Sequence, residues 1–266
     1  MHMHCRVCNA QANHFARAKI LSKYNIEYFR CCDCQFIQTE EPYWIKEAYG
    51  QAVIPSDVGL VSRNLKLARI TSRVLNVLFP KAEASIDFGG GFGLMTRLMR
   101  DRGHNFSHYD PMAKNLFAQG FQASDKDRFD LLTAFEVWEH LAEPIEQIRL
   151  MDQLADNWLI STLLVPEPPP KPDEWWYYVL EGGQHISLWS ERAMHAVASR
   201  FKRKLVTTNR GVHLFSRERV NPILTKIILK KRTGRVFDLI RQRPSLLPSD
   251  HQKSVETTKP LRHDRN

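Results

Sequence analysis

Apolar and polar positions follow two alternating patterns through the middle of the chain. Short runs of apolar residues are typical of buried strands, and they alternate with segments whose apolar residues have helical spacing. The strand-like runs are "ASIDFG", "NFSHYD", "FDLLTAFE" and "NWLISTLL", and the helical segments between them are "GLMTRLMRDRG", "PMAKNLFAQG" and "EPIEQIRLMDQLA". Strands and helices at this spacing predict βαβ units and a mostly parallel sheet.

The flanking segments extend this pattern. Upstream, "EPYWIKEAY" and "DVGLVSRNLKLARITSRVLNVLF" predict helices, and Pro80 is expected to end the second one. Downstream, "SERAMHAVASRF" predicts a helix with Ser190 as its N-cap, and "KLVTTNRGVHLFS" predicts an antiparallel hairpin. We therefore expect an α/β, Rossmann-like fold whose mostly parallel sheet ends in a C-terminal antiparallel hairpin.

One short stretch holds four of the 12 glycines of the chain: "SIDFGGGFG", residues 85–93. Glycine costs backbone entropy, so such a cluster is expected where the backbone turns unusually or a ligand approaches it closely. The stretch connects the first predicted strand to the first helix, and ligands of open parallel sheets bind beyond the carboxyl ends of the strands. The cofactor-binding candidates are therefore Asp87, Gly89, Gly90, Gly91 and Gly93.

The spacing of these glycines distinguishes between two kinds of cofactor loop. A dinucleotide fingerprint, G-x-G-x-x-G, fails because Leu94 stands at its third glycine. The pattern D-x-G-x-G-x-G is complete, and it resembles motif I of the class I S-adenosylmethionine-dependent methyltransferases. The resemblance implies that the loop passes under the methionine and ribose parts of the cofactor. It also implies that Asp110, at the end of the second strand, holds the ribose hydroxyls; a glycine-rich turn with a chance aspartate is the alternative.

A second segment carries the same resemblance. "FDLLTAFEVWEHLAEP" is similar to the corresponding stretch of the ubiquinone-methylase-like branch of this family, and the likeness covers roughly residues 65–216. It implies that Phe135 and Glu136 line the cofactor pocket. The residue that binds the adenine is not identified by the sequence.

All five cysteines lie at or before Cys34. The pairs Cys5-x-x-Cys8 and Cys31-x-x-Cys34 are separated by 22 residues, a spacing typical of a tetrahedral zinc site, with free thiols as the alternative. Similar bacterial sugar C-methyltransferases carry a zinc ribbon ahead of the methyltransferase domain, which implies a structural zinc beside the substrate side. We expect a zinc ribbon over 1–40, a helical connector over 41–80, an S-adenosylmethionine-binding methyltransferase domain over 81–216, a basic helical extension over 217–243 and a disordered tail over 244–266.

Methyl transfer requires alignment of an acceptor with the methyl group and, for an O–H, N–H or C–H acceptor, removal of a proton. Histidine suits the second task because its usual pKa lies near neutrality. The candidates are His185, which follows the aromatic stretch "WWYY", and His140 in the "EH" pair, while Tyr177 could position an acceptor hydroxyl. The competing interpretations are a His185 bonded to backbone in a packed core and a His140 that orients the cofactor loop.

The net charge of +9 is concentrated at one end of the chain. Residues 201–266 hold 17 Lys and Arg against 5 Asp and Glu, so the first 200 residues carry a charge of about −3. We interpret the basic region as a helix packed on its own domain, with contact to an anionic membrane or to RNA as alternatives. No run of 18 apolar residues and no apolar signal segment occur, so we expect no transmembrane segment and a cytoplasmic protein.

The expected function is S-adenosylmethionine-dependent methyl transfer to a small polar metabolite, in particular a sugar or sugar nucleotide, with a histidine general base. An RNA methyltransferase that uses the zinc ribbon and the basic C-terminus is the first alternative, and a non-catalytic cofactor-binding regulator is the second. The segment "TAFE" lacks the Asn/Asp-Pro-Pro-aromatic motif of enzymes that methylate exocyclic base amines. The methyltransferase domain also lacks a cysteine nucleophile for pyrimidine C5. The oligomeric state is not predicted.

Overall fold

The computed structural model describes residues 3–50, 57–124, 127–208, 211–230, 236–238 and 243–258. Its strands are β1 Met3–His4, β2 Gln11–Ile20, β3 Tyr24–Cys31, β4 Ile37–Thr39, β5 Ser85–Phe88, β6 Phe106–Tyr109, β7 Phe129–Phe135, β8 Ala155–Ser161, β9 Ser187–Leu188, β10 Lys204–Thr207 and β11 Val212–Ser216. Its helices are α1 Ile45–Ala48, α2 Leu60–Arg73, α3 Leu94–Asp101, α4 Pro144–Leu154, α5 Glu191–Arg200, α6 Pro222–Leu229 and α7 Leu247–Thr258. Short turns of 3₁₀ helix span Trp138–His140 and Trp176–Tyr178, and a π-helical turn, Val74–Leu78, continues α2.

A six-stranded mixed sheet forms the centre of the molecule, in the order β10-β11-β8-β7-β5-β6. The four strands β6, β5, β7 and β8 are parallel, whereas β11 and β10 run antiparallel to them. The carboxyl ends of the parallel strands lie at one edge, so the glycine loop after β5, Asp110 after β6 and Glu136 after β7 come together there. The fold is α/β, and this edge is where its ligand site is expected.

The two faces of this sheet carry separate parts of the core. Along β7 and β8, side chains point alternately to opposite faces, as strand geometry requires. Leu132 and Trp158 pack on one face with α4 and α5, while Leu131 and Leu159 pack on the other with α2 and α3. The sheet is therefore buried on both sides, which explains why its strands read as continuous apolar runs.

A second sheet, in the order β1-β2-β3-β4-β9, joins the N-terminal module to the rest of the chain. Its last strand, β9, follows His185 directly, and Gln38 of β4 lies opposite Ser187 of β9. Ser190 caps α5 through the backbone N–H of Ala193 and donates its own hydroxyl to the carbonyl of Cys34. The cysteine-bearing module is thus hydrogen-bonded to the segment that carries His185.

The helix expected over residues 111–120 was wrong. Asp110 Oδ1 accepts hydrogen bonds from the backbone N–H groups of Met112 and Ala113, and Asn115 Oδ1 accepts from that of Ala118. Local side-chain bonds of this kind compete with helical ones and stabilise turns instead. The segment runs as turns beside the glycine loop, with the N–H groups of Leu116 and Phe117 donating to the carbonyl of Phe92.

The C-terminal predictions are corrected in part. Among its described residues the basic extension contains the short helix α6, capped by the side chain of Asn221, and a 3₁₀ turn at 236–238; residues 231–235 and 239–242 are not described. The tail expected to be disordered instead contains α7, while residues 259–266 are not described. Asp250 of α7 accepts hydrogen bonds from Arg100 (2.7 Å) and Arg97 (2.9 Å) of α3, and these buried ion pairs hold the helix on the domain.

Replacing Asp250 by asparagine is expected to lower the free energy of unfolding by about 2 kcal/mol, because Arg100 loses a charged partner within the protein. Burial raises the pKa of Asp250, but the hydrogen bonds from Arg100 and Arg97 outweigh it and hold that pKa below its usual value. The stabilisation is therefore present above about pH 4 and is lost as the pH falls through the lowered pKa. Urea unfolding of the variant measures the effect.

Asp101→Asn is the matched control, since Asp101 pairs with the same Arg97 at the surface (2.9 Å), where such a pair contributes about 0.5 kcal/mol or less. Equal losses in the two variants would contradict a stabilising role for the α7 contact.

Candidate cofactor and acceptor site

The glycine loop has the backbone conformation that its composition requires. Gly89, Gly91 and Gly93 have φ angles of +67°, +56° and +86°, which L side chains rarely adopt. A Cβ at Gly89 would lie 2.7 Å from the side chain of Val137, whereas a Cβ at Gly91 would meet no atom within 4 Å. The loop is therefore packed against the segment after β7 and presents open backbone at Gly91, directly before the N-terminus of α3.

Asp110 is held beside this open backbone. Its Oδ2 accepts a hydrogen bond from the N–H of Gly91 (2.8 Å), and its Oδ1 accepts the two bonds from Met112 and Ala113. A carboxylate has about four acceptor positions, so these three bonds leave one for a ligand hydroxyl. Asp110 thus combines a fixed orientation with a free acceptor position.

Asp87 lies beneath the loop. It is buried, its Oδ1 accepts a hydrogen bond from Thr133 (2.7 Å), and its Oδ2 has no partner among the described residues. Burial raises the pKa of Asp87 to about 7. A Cβ at Gly90 would collide with Asp87 Oδ2 and with Nδ1 of His108. Only glycine therefore fits at position 90, against the side chains of Asp87 and His108.

Next to the loop, three side chains form a compact polar cluster of Glu139, His140 and His185, called the acceptor cluster below. One ligand-type atom from each residue lies within 4.8 Å of the others. Glu139 and His140 belong to the 3₁₀ turn after β7, whereas His185 lies 45 residues further along the chain and precedes β9. The structure thus brings together both histidines singled out from the sequence.

Tyr177 orients two members of the acceptor cluster. Its hydroxyl donates to Glu139 Oε1 (2.6 Å), and its carbonyl oxygen accepts from Nδ1 of His185 (2.6 Å). Because Nδ1 carries the hydrogen in that bond, Nε2 of a neutral His185 has a free lone pair. Tyr177 is fully buried, and in the structure it orients Glu139 and His185 through these two hydrogen bonds.

Burial sets the protonation of the cluster. It raises the pKa values of Glu139 and Glu136 to about 7 each, and repulsion by Glu139 adds to the rise at Glu136. Burial also lowers the pKa of His140 to about 3 and lowers that of His185. Both imidazoles are therefore neutral at pH 7, and His140 is a weak base.

The acceptor cluster and the cofactor loop are neighbours. The Cβ position of Gly89 lies 2.7 Å from the side chain of Val137, which directly precedes the 3₁₀ turn that carries Glu139 and His140. Glu136, at the end of β7, has a left-handed φ of 54° and accepts a hydrogen bond from the hydroxyl of Ser161 (2.6 Å). Strained backbone of this kind is concentrated at functional sites. Phe135 packs at the edge of the core, and its place in the cofactor pocket stays a prediction.

Sequence analysis missed Glu139 as a functional residue. The signal was present in "EVWEH", where two glutamates three residues apart precede His140. Their spacing places both after the same strand, but only the fold reveals that Glu139, and not Glu136, shares a cluster with His185.

The four cysteines predicted to bind metal lie together. Cys5 Sγ is 3.6 Å from Cys34 Sγ, Cys8 Sγ is 3.4 Å from Cys31 Sγ, and all four sulfurs lie within 4.8 Å of one another. Four thiolates around one zinc ion at about 2.3 Å would lie roughly 3.8 Å apart, so the cluster fits zinc. Cys32 is exposed and outside it, and all five cysteines are free of disulfides.

Across the described parts of the chain, the search for membrane-spanning segments finds no helix with the length and apolar character needed to cross a bilayer.

A search of curated proteins finds no match. Among solved structures, the chain is similar to mitomycin 7-O-methyltransferase (15% identity, TM-score 0.41, covering 58% of this chain and 53% of that one). It is also similar to human N-acetylserotonin methyltransferase, with 12% identity and a TM-score of 0.40 over 66% of this chain and 64% of that one. A methyltransferase of calicheamicin biosynthesis is similar with 14% identity and a TM-score of 0.42 over 59% of this chain and 54% of that one. The chain spans between half and two thirds of the length of these three proteins.

The decisive finding is a match to a family model. The model describes a methyltransferase domain, and it matches residues 62–206, more than half of the chain. The matched region contains the glycine loop, Asp110 and the whole acceptor cluster. The chain therefore belongs to this methyltransferase-domain family.

Proposed function

We propose that the protein transfers a methyl group from S-adenosylmethionine to a small polar acceptor at the acceptor cluster. The observation that supports this most is the geometry at Gly91: open left-handed backbone, a fixed Asp110 with a free acceptor position, and a buried Glu–His–His cluster next to it. These are a cofactor cradle and a proton-accepting pocket on neighbouring elements.

The chain's own residues have distinct roles in this proposal. The backbone of Gly89–Gly93 lies under the methionine part of the cofactor, and the free position of Asp110 accepts from a ribose hydroxyl. The cofactor supplies an electrophilic methyl carbon. His185 Nε2 accepts the proton of the acceptor hydroxyl as the acceptor oxygen bonds the methyl carbon and the carbon–sulfur bond breaks, and Tyr177 holds His185 in the required tautomer.

The proposed acceptor is a sugar or sugar nucleotide. Two features support a small polar molecule. The first 200 residues have a near-neutral charge, and both Glu139 of the acceptor cluster and its partner Tyr177 are fully buried. A buried cluster of carboxylate, imidazole and phenol groups favours an acceptor rich in hydroxyls.

The four cysteines are proposed to hold a structural zinc ion. The N–H of Val7 donates to Cys5 Sγ and that of Asp33 to Cys31 Sγ, which supports thiolate character at both pairs. In this proposal zinc stabilises the module that carries β4 and has no part in methyl transfer.

Methyl-labelled S-adenosylmethionine tests the proposed function. The purified protein is incubated with a cell extract that is then separated into small polar molecules, lipids and RNA. Label in the small polar fraction is the expected result. Label in RNA alone would overturn the proposed acceptor class, and bound cofactor without transfer to any fraction would overturn the catalytic proposal.

Gly91→Ala is expected to weaken binding of S-adenosylmethionine at least 10-fold, because its Cβ would occupy the open space above the loop. Gly120→Ala is a matched control: Gly120 also has a left-handed φ (+83°) and no atom within 4 Å of its Cβ position. Both substitutions carry about 1 kcal/mol of backbone strain. Calorimetric titration should find weakened binding only for Gly91→Ala, and equal weakening in both would contradict the placement of the cofactor.

A further inference from the structure

We propose that Glu139, His140 and His185 form a second metal site, separate from the four cysteines, that binds one divalent transition-metal cation. The inference rests on the proposed function only for its statement that the acceptor binds at this cluster. The presence of the site follows from the geometry of the three side chains.

The ligand atoms are free and close together. Glu139 Oε2 and His140 Nδ1 are buried and have no hydrogen-bond partner in the described structure, and His185 Nε2 is left open by the bond at Nδ1. One ligand-type atom from each of the three residues lies within 4.8 Å of the others. Ligands about 2.1 Å from one cation are roughly 3.0–3.5 Å apart, so closure by at most about 1.8 Å is sufficient.

The unpaired atoms need an explanation. A buried carboxylate oxygen without a partner costs about 1–3 kcal/mol or more, and such groups in native proteins mark a function or a bound ion. Here a carboxylate oxygen and an imidazole nitrogen are both unpaired in one cluster. A cation satisfies both at once, whereas a single hydrogen bond between them would leave His185 Nε2 open.

The surroundings provide the outer contacts that metal sites use. A metal-bound histidine normally donates its other N–H to a carbonyl or carboxylate, and bound carboxylates are themselves hydrogen-bonded. His185 donates Nδ1–H to the carbonyl of Tyr177, and Glu139 Oε1 accepts from the Tyr177 hydroxyl. The N–H of Ile186 also donates to the carbonyl of Glu139 (2.9 Å), which connects the two ligand-bearing segments.

The donor set indicates the class of cation. Two neutral imidazoles and one carboxylate suit Mn²⁺, Fe²⁺, Co²⁺ or Zn²⁺ better than Ca²⁺, and three protein ligands leave positions for water or an acceptor oxygen. The positive charge that acts on Glu139 is that of Arg63, which forms an ion pair with Asp57 at 2.7 Å.

A bound cation would select acceptors that carry an oxygen donor at the reacting position. A hydroxyl beside a second oxygen, as in sugars, could occupy two open positions together. In the loaded protein His185 Nε2 is a ligand, so His185 accepts the acceptor's proton only in the cation-free protein.

Cobalt(II) titration of the full-length protein tests the site. The protein is first loaded with one equivalent of zinc at the cysteines, so that cobalt bound there would be recognised by sulfur-to-cobalt charge-transfer bands. We expect one further equivalent of cobalt with weak visible d–d absorption and no charge-transfer band. Glu139→Gln and His185→Gln should each weaken it at least 10-fold, and Tyr177→Phe by about 10- to 100-fold.

His195→Gln is the control, since His195 is exposed on α5, and it should bind cobalt as the wild type does. Near-ultraviolet circular dichroism verifies that each variant is folded. The absence of a second equivalent in the wild type, or unchanged affinity in both folded cluster variants, would overturn the inference. Intact methyl transfer by wild-type protein that takes up no second cation would overturn this inference alone, whereas a bound second cation without methyl transfer to any fraction would overturn only the proposed function.

Discussion

In protein that holds zinc at the four cysteines but no second cation, replacement of His185 by glutamine is expected to lower kcat by about 100- to 10,000-fold, the range typical of a lost general base. Glutamine preserves the size of the side chain and can donate a hydrogen bond, but it cannot accept the proton of the acceptor at pH 7. Turnover of the labelled acceptor measures the effect. His140→Gln should reduce kcat less than 10-fold, because a pKa of about 3 makes His140 a weak base.

The pH profile distinguishes the base from its neighbours. Burial lowers the pKa of His185 below its usual value of 6.5, so its neutral form is present at and above that pH. If His185 is the base, kcat of the wild type rises with pH and the midpoint of that rise lies below pH 6.5. A carboxylate base would give a rise centred near pH 7, where Glu136 and Glu139 titrate. A rise near pH 7, together with full activity of His185→Gln, would contradict the assignment.

Removal of zinc from the four cysteines is expected to unfold the N-terminal module. Structural zinc contributes about 10–16 kcal/mol to the folding of zinc-finger peptides at pH 7, more than a small sheet gains from its core. Cys5, Cys31 and Cys34 are buried against Phe36, which contacts Trp189 of the main domain at 4.9 Å between ring centroids. Loss of zinc should therefore change tryptophan fluorescence as well as the melting temperature.

The zinc experiment has an internal control. Cys31→Ser is expected to abolish the stoichiometric zinc measured by atomic emission, whereas Cys32→Ser should retain it, since Cys32 is exposed and outside the cluster. Activity should fall with zinc in Cys31→Ser because β4 is paired with β9, directly after His185. Stoichiometric zinc in folded Cys31→Ser would contradict the four-cysteine site.

The α/β fold was predictable because each core strand is buried on both faces and reads as an apolar run. The errors have physical causes. The segment after Asp110 has helical composition, but Asp110 and Asn115 bond to nearby backbone and stabilise turns. Helix α7 has few apolar residues, and what holds it is an ion pair with Arg100, 150 residues earlier in the chain, which local composition does not reveal.

The candidate site was predictable to a similar extent. The glycine cluster predicted an unusual backbone turn, and Gly89, Gly91 and Gly93 have the left-handed angles that favour glycine; that this loop holds the cofactor stays a prediction. The meeting of His140 with His185, whose ring centroids lie 4.9 Å apart, depends on the path of the chain between β8 and β9. No local pattern encodes that distance. For the same reason the sequence did not identify Glu139 as a member of the acceptor cluster.

A crystal structure with bound S-adenosylhomocysteine tests the central claim most directly, namely that the glycine loop holds the cofactor with its sulfur facing the acceptor cluster. We expect the methionine part over Gly89–Gly93, the ribose hydroxyls at Asp110, and the sulfur directed toward Glu139 and His185. Binding at another place, or with the sulfur directed away from the acceptor cluster, would contradict the account.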